Sequence, residues 1–409
     1  MLARLWFGFF IAAFLGAVYQ WLALGNAGIF GEVIGATFDM AKLAVEIAIG
    51  LIGVLCLWLG FFRIAELAGL VDILARGLAP LFRRIMPEVP PGHPAAGSVT
   101  MNLAANLLGL DNAATPMGLK AMDDLQQLNS RPDTATNAQI LFLVLNTSSV
   151  TLLPVTIFLY RAQQGSTDPT AVFIPILLAT TASTLTGLLL VAWIQRLRIL
   201  DRVVLGYFLG FAVLIAGLIT YLGHQSPERL AAQSGLIGNL LLFSVIVLFL
   251  TAGWRRKVDV YEAFIEGAKN GFGVCVKLIP YLVGMLVAIG VLRASGVLEL
   301  LLGAIHWIFE SLGVNTDFVA AVPTALMKPL SGSGARAMML ETMDHYGVDS
   351  FPATVAAVVQ GSTETTFYVL AVYFGSVGIR KARHAVACGL AADFAGITTA
   401  ILVSYWFFH

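Results

Sequence analysis

The chain has 409 residues, of which 58% belong to the AVILMFWYC set and only 12% are charged, about half the charge of a soluble domain. Its 24 basic and 24 acidic residues cancel to a formal net charge of zero, a balance that gives no sign of a nucleic-acid partner. Mean hydropathy is +0.85, which excludes an ordinary soluble globular domain and points to an all-α polytopic membrane protein.

A spanning helix needs about 20 mostly apolar residues. About nine runs qualify: 4–24, 42–66, 136–160, 171–195, 203–222, 235–254, 271–293, 352–374 and 384–406. Unpaired backbone groups are not tolerated in lipid, so each run is expected to be helical. The run near Met1 reads as an uncleaved first span rather than a signal peptide, because its length suits a span and similar runs follow it. Cys56, Cys275 and Cys388 each sit inside apolar sequence without metal or redox spacing, and read as buried thiols.

Basic residues set the expected orientation. They cluster at Arg63, Arg76, Arg83 and Arg84; at Arg196, Arg198 and Arg202; at Arg255, Arg256, Lys257 and Lys269; and at Arg380, Lys381 and Arg383. All four clusters fall on one side if there are nine crossings. The N-terminus is then expected in the cytoplasm of a bacterial inner membrane and the C-terminus outside. The loops GNAGIFGEVIGATFDM, AQQGSTDPT, HQSPERLAAQSG and DHYGVDS then face outward, with Arg161, Arg229 and Arg293 as exceptions.

Two stretches do not fit as spans. Residues 94–128 and 315–346 each read as two short helices around a polar tip, DNAATP in the first and SGSGAR in the second. Interrupted apolar segments of this kind predict re-entrant hairpins. Amphipathic stretches precede them at 70–87 and 297–312, expected to lie in the membrane interface.

The chain also repeats itself. AGLVDILARGLAPLF (68–82) parallels SGVLELLLGAIHWIF (295–309), and NAATPMGLKAMDD (112–124) parallels SGARAMMLETMDH (333–345). VLNTSSVT (144–151) parallels VQGSTETT (359–366), and TTASTLTGLLL (180–190) parallels GLAADFAGITT (389–399). Two halves, 1–200 and 201–409, are expected, with repeats at about 42–197 and 271–407. An odd number of crossings between them inverts the second repeat relative to the first. Inverted repeats with broken helices are a recurrent plan of secondary transporters, with the site at the midplane between repeats.

NLAANLLGLDNAATPMGLKAM in the first half resembles spore maturation protein A. ALMKPLSGSGARAMMLE and QGSTETTFYVLAVYFGSVGIRKARHA in the second half resemble spore maturation protein B. The resemblance covers nearly the whole chain and implies a fused form of the two. Each half is similar to the Gate-type nucleoside-recognition domain, also found in ferrous iron transporter B, and in plan to concentrative nucleoside transporters. It implies a transporter-like fold but does not name nucleoside as the substrate.

The candidate site residues lie at the hairpin tips and inside two spans. Asp111 and Asn112 precede Thr115–Pro116, an expected helix start, and Ser331 and Ser333 precede a helix expected from Ala335. Free N–H groups at such a start attract anions, a field that Lys328 and Arg336 strengthen and Asp111 opposes. Plain capping is the competing reading at both tips. Asn146, Thr147, Ser148 and Ser149 form a polar block within one apolar run, and residues 360–366, with Ser362, Thr363 and Glu364, form its counterpart. Such blocks exceed what hydroxyl back-bonding to helix carbonyls needs, and are expected to bind a cation or polar solute. Glu364, a carboxylate near midspan, is the sharpest single candidate, with Arg336 as a candidate partner and a purely structural ion pair as the competing reading. Asp393 is similar but closer to the end of its span, and Lys277 is expected to snorkel.

Ser331–Gly334 with His384 is a weak echo of an intramembrane serine protease, and nothing in the spacing brings the two together. No HExxH-type metal motif or phosphate loop occurs, so no enzyme activity and no resident cofactor are expected. The expected function is secondary transport of a small polar solute, nucleoside-like or anionic, with Na+ or H+ as candidate coupling ions. The expected partners are the lipid bilayer, the solute and a second copy of the chain. The alternatives are a non-transporting scaffold that keeps the fold, or a channel.

Overall fold

A computed structural model describes every residue except Met1 and residues 109, 110, 149, 150 and 199; the side chains of residues 2, 111–113, 227 and 228 also lie outside the description. Among the described residues the regular structure is helical. In chain order the helices are α1 (Leu2–Leu24), α2 (Ile29–Leu67), α3 (Leu70–Ile85), α4 (Pro94–Leu107), α5 (Asp111–Gln126), α6 (Asn137–Ser148), α7 (Val155–Gln163), α8 (Phe173–Gln195) and α9 (Arg202–Leu222). They continue with α10 (Pro227–Arg255), α11 (Val260–Ala294), α12 (Val297–Ser311), α13 (Val322–Met327), α14 (Gly332–Tyr346), α15 (Phe351–Ser362), α16 (Thr366–Ser376) and α17 (Ala385–Phe408).

Among the described residues, seven helices are long and apolar enough to cross a membrane: α1, α2, α8, α9, α10, α11 and α17. The two other apolar runs are each split into two shorter helices, α6 then α7 and α15 then α16, with the interruption at the polar block. The chain is a multi-pass membrane protein.

Several helices overrun the apolar runs that predict them. α2 begins at Ile29 rather than 42, α10 at Pro227 rather than 235, and α11 at Val260 rather than 271. Hydropathy marks where lipid must be met, whereas a helix begins where its first N–H groups are satisfied. Asp259 supplies such a start for α11, accepting from the Glu262 N–H at 3.1 Å. Much of the expected outer loop GNAGIFGEVIGATFDM is therefore helix.

Both amphipathic stretches are helices, α3 and α12, and each follows a glycine in the left-handed region, Gly69 at φ 71° and Gly296 at φ 73°. Such a corner strains any residue with a Cβ. It turns the chain from a long helix directly into the next. Both hairpins consist of two short helices, α4–α5 and α13–α14. At the first tip the second helix starts at Asp111, so Pro116 lies inside it rather than at its start.

The helices cluster into two compact units, each assembled from separate chain segments. The first holds residues 1–60, 156–169 and 264–360. Within it α1 packs on α12, and the Gln20 amide donates to the Ser295 carbonyl at 2.9 Å. Two arginines that are exceptions to the expected sidedness of positive charge are paired here. Arg161 is buried and bonds Asp349 at 2.9 Å. Arg293 pairs with buried Glu341 and, at 3.1 Å, with Glu299.

The second unit holds residues 61–155, 170–263 and 361–409. Its most extensive helix pair is α8 with α17, and both helices pack on α6. Two glycines allow this seam. A Cβ on Gly187 meets Val144 Cγ1 at 2.8 Å and Ala392 Cβ at 3.2 Å. One on Gly396 meets Ser183 Cβ at 2.9 Å and the Ser362 carbonyl oxygen at 3.2 Å. Small residues at a helix crossing let backbones approach where no hydrophobic drive acts between apolar helices in lipid.

Candidate functional site

Ser331 has extended backbone and caps α14, its Oγ accepting from the Gly334 N–H at 3.1 Å. Ser333 Oγ lies 3.2 Å from Ser331 Oγ. Lys328 is buried at the end of α13. Half-buried Arg336 stacks over the Tyr160 ring, with Cζ 5.5 Å from the centroid, a cation–π contact that helps hold the guanidinium at the tip. Capping is thus present at the second tip, one turn earlier than the expected start at Ala335.

At the first hairpin, the buried Asn102 amide donates to the Ala114 carbonyl at 2.8 Å and ties α4 to α5. Thr115 is exposed. Asn112 falls in α5, but its side chain lies outside the description.

The two helix breaks meet within the second unit. α6 ends on Asn146, Thr147 and Ser148, all buried; Ser149 lies outside the described residues. The α15–α16 break comprises residues 363–365. Ser362, Thr363, Thr365 and Thr366 are buried, whereas Glu364 is exposed. The Glu364 N–H donates to the Thr147 carbonyl at 2.7 Å. That bond replaces one lost where α15 stops and ties one break to the other.

Around this junction hydroxyls converge on one carboxyl. Asp393 of α17 is 1% exposed and lies more than two turns inside its helix, nearer the N-terminal end. Thr363 Oγ1 is 2.6 Å from Asp393 Oδ1, and Thr366 Oγ1 is 2.6 Å from Oδ2. Thr147 Oγ1 is 2.8 Å from Thr366 Oγ1. Thr363 Oγ1 is also 2.9 Å from the Thr147 carbonyl oxygen. Short hydroxyl–carboxyl contacts of this kind are among the stronger hydrogen bonds.

On the α6 side, Thr184 of α8 donates to the Ser148 carbonyl at 3.1 Å. The Asn106 amide donates to Asn146 Oδ1 at 2.8 Å, and the Tyr373 hydroxyl approaches the same atom at 3.4 Å. Asn106 and Thr184 also line an apolar crevice of about 310 Å3 with Phe82, Leu103, Thr181 and Tyr207. Among the described residues, the buried hydroxyls of Ser183 and Thr365 have no hydrogen-bond partner.

The structure brings Thr147, Ser148, Thr363 and Glu364 of the two expected polar blocks together, and places Asp393, Asn106 and Tyr373 around them. Asp393 carried a signal, a carboxylate inside an apolar run. Asn106 and Tyr373 carried none that distinguishes them from ordinary helix residues.

A family model described as Gate, nucleoside recognition, matches residues 48–163 and 275–380, together more than half the chain. Those segments contain both hairpins and both broken runs. The chain is 44% identical over 166 residues to spore maturation protein B of Bacillus subtilis (strain 168), covering 40% of this chain and 92% of that protein. It is also 44% identical over 156 residues to spore maturation protein A of the same organism, covering 38% of this chain and 80% of that protein. Each relative accounts for part of the chain, consistent with a fusion of the two.

Proposed function

The chain belongs to the Gate family of nucleoside-recognition domains, and from that premise we propose that it is a secondary transporter of a small polar solute, nucleoside-like or anionic. The observation that carries the reading is the junction of the two breaks, where Glu364 is exposed. A carboxylate halfway along an apolar helical run is expensive in hydrocarbon and normally faces water, a cavity or a partner. The unbonded hydroxyls of Ser183 and Thr365 add groups that a polar solute would satisfy. The crevice that reaches Asn106 and Thr184 supplies an approach.

In this reading residues 1–200 and 201–409 are two halves carrying inverted repeats. Matched positions do matched jobs, which supports the repeat. Gly69 and Gly296 make the same left-handed corner. Gly187 and Gly396 open the same seam. Thr184 and Asp393 occupy the same place in the sequence match, and each bonds across to a helix break. The protein sits in the bacterial inner membrane with its N-terminus cytoplasmic and its C-terminus outside. The hairpins are re-entrant, and Ser331, Ser333 and Arg336 favour an anionic group at the second tip. No catalytic step and no resident cofactor belong to this reading.

The test is uptake by purified protein in liposomes, with a panel of nucleosides, nucleobases and small carboxylates. Wild type is expected to take up at least one solute. Glu364→Gln is expected to fold, insert and lose about tenfold or more of that uptake, the effect of about 1.4 kcal/mol on a barrier. Unchanged uptake by Glu364→Gln removes Glu364 from the site. Retained cellular function in variants blocked at both breaks favours a scaffold.

A further inference from the structure

Asp393 is held in a way that suits a mobile proton better than a metal cation. Oxygens that share a cation stand 2.0–2.6 Å from it, and so about 3 Å or more from each other. Here both carboxyl oxygens sit 2.6 Å from a threonine hydroxyl. The oxygens bond one another and enclose no room for an ion between them.

A threonine hydroxyl has one proton to donate, yet Thr363 Oγ1 has two close acceptors, Asp393 Oδ1 at 2.6 Å and the Thr147 carbonyl at 2.9 Å, and a third, the Glu364 carbonyl, farther off at 3.4 Å. If Asp393 is ionised, Thr363 donates to Oδ1, and the Thr147 carbonyl keeps the Glu364 N–H. If Asp393 carries a proton on Oδ1, the carboxyl donates to Thr363, which turns its own proton to the Thr147 carbonyl. Thr366 donates to Oδ2 in both cases, and the Thr147 hydroxyl donates to Thr366. Every one of these groups is satisfied in either state.

We propose that Asp393 is an exchangeable proton site, and that its proton switches the Thr363 hydroxyl between the carboxyl and the carbonyl at the end of α6. The proton comes from water and returns to water, so no other reactant is needed. Loading the site adds a third bond between the end of α6 and the α15–α16 break, beside that from the Glu364 N–H and that between the Thr147 and Thr366 hydroxyls; unloading removes it. Proton occupancy is thereby tied to how firmly α6 is held to the α15–α16 break. That this tie drives solute movement rests on the transport reading; the proton site itself does not.

The ionisable groups around Asp393 are few. α6 and α8 carry no Asp, Glu, Lys, Arg or His. α16 contributes Tyr368 and Tyr373, and α10 has Glu228, Arg229 and Arg255 near its ends. α17 itself has Cys388 and Tyr405, flanked by His384 and His409. Glu364 stands at the adjoining break. Asp393 is the carboxyl of this set that is buried within hydrogen-bond reach of two hydroxyls.

The test is infrared spectroscopy of the full chain in lipid as pH is varied, with no solute present. A protonated-carboxyl band that follows pH and moves on carbon-13 aspartate labelling is expected in wild type. It should vanish in Asp393→Asn, whose amide mimics the protonated acid toward Thr363. It should shift in Thr363→Val and return to its wild-type position in Thr363→Ser. If Asp393→Asn fails to fold, the labelled wild type and the two Thr363 variants decide alone. An aspartate band untouched by Asp393→Asn, or aspartate bands unmoved by Thr363→Val, overturns the proposal, as does the lack of any such band at every pH where the protein is folded. Failed solute uptake beside an intact, Asp393-dependent band removes the transport reading and leaves the proton site standing.

Discussion

At the scale of the residue, one tight packing constraint on the site is a missing side chain. A Cβ on Gly396 falls 2.9 Å from Ser183 Cβ and 3.2 Å from the Ser362 carbonyl oxygen, and neither is the yielding tip of a long side chain. Gly396→Val is therefore expected to cost about 1–3 kcal/mol and to lower the unfolding midpoint in detergent. Gly210→Ala in α9, where a Cβ meets nothing within 4 Å, is not. Equal midpoints for the two variants would contradict the tight seam. A second residue-scale prediction concerns the loop carboxyl of Asp349. Burial pushes it up, but hydrogen bonds from Ser166 and Thr167 and the charge of Arg161 more than offset this and hold it below the ordinary carboxylate range. A depressed folded value stabilises above the unfolded range, and that stability is lost as pH falls through the folded value. Acidification should thus cost wild type more stability than Asp349→Asn; parallel midpoint curves against pH would refute this. Legibility at this scale followed local context. Glu364 and Ser331 stand out because polar residues interrupt apolar sequence around them. The bond from Thr363 to Asp393 does not, since it joins different helices and exists only once α17 has packed.

At the scale of the element, the polar blocks matter because they stop a helix. The pattern of apolar runs predicted both hairpins and both interfacial helices, and each folds as two short helices or one. Helix starts were less legible. The beginnings of α2, α10 and α11 lie outside the apolar runs, and at α11 the Asp259 side chain caps the start. If the α15–α16 break is functional, healing it should be specific in its effect. Replacing Thr363, Glu364 and Thr365 together with alanine, the strongest helix former, is expected to leave a monodisperse membrane-inserted protein. Uptake of a solute carried by wild type should be lost. Full uptake by the healed variant would show that the break is only a packing accommodation.

At the scale of the whole molecule, the apolar spanning helices were readable because lipid imposes helical, apolar spans on the sequence. The composition of the two compact units was not, because each gathers segments from distant parts of the chain. Nor were the acidic partners of Arg161 and Arg293, the two exceptions to the expected sidedness that pair across the first unit. The proposed orientation predicts that single cysteines at Ser166 and Gln225 react with an impermeant thiol reagent from outside, and that those at Lys257 and Lys381 do not. Cytoplasmic labelling at Ser166 would break the inverted arrangement. The central claim, that the junction of the two breaks meets water and solute, has a direct test that needs no known substrate. Glu364→Cys and, as a buried control, Phe142→Cys are made in a chain lacking Cys56, Cys275 and Cys388, and sealed vesicles are treated with a small water-soluble thiol reagent from each side. The account predicts that Glu364→Cys reacts from at least one side while Phe142→Cys stays unmodified; a Glu364→Cys that reacts from neither side would mean a dry junction and would contradict transport through it.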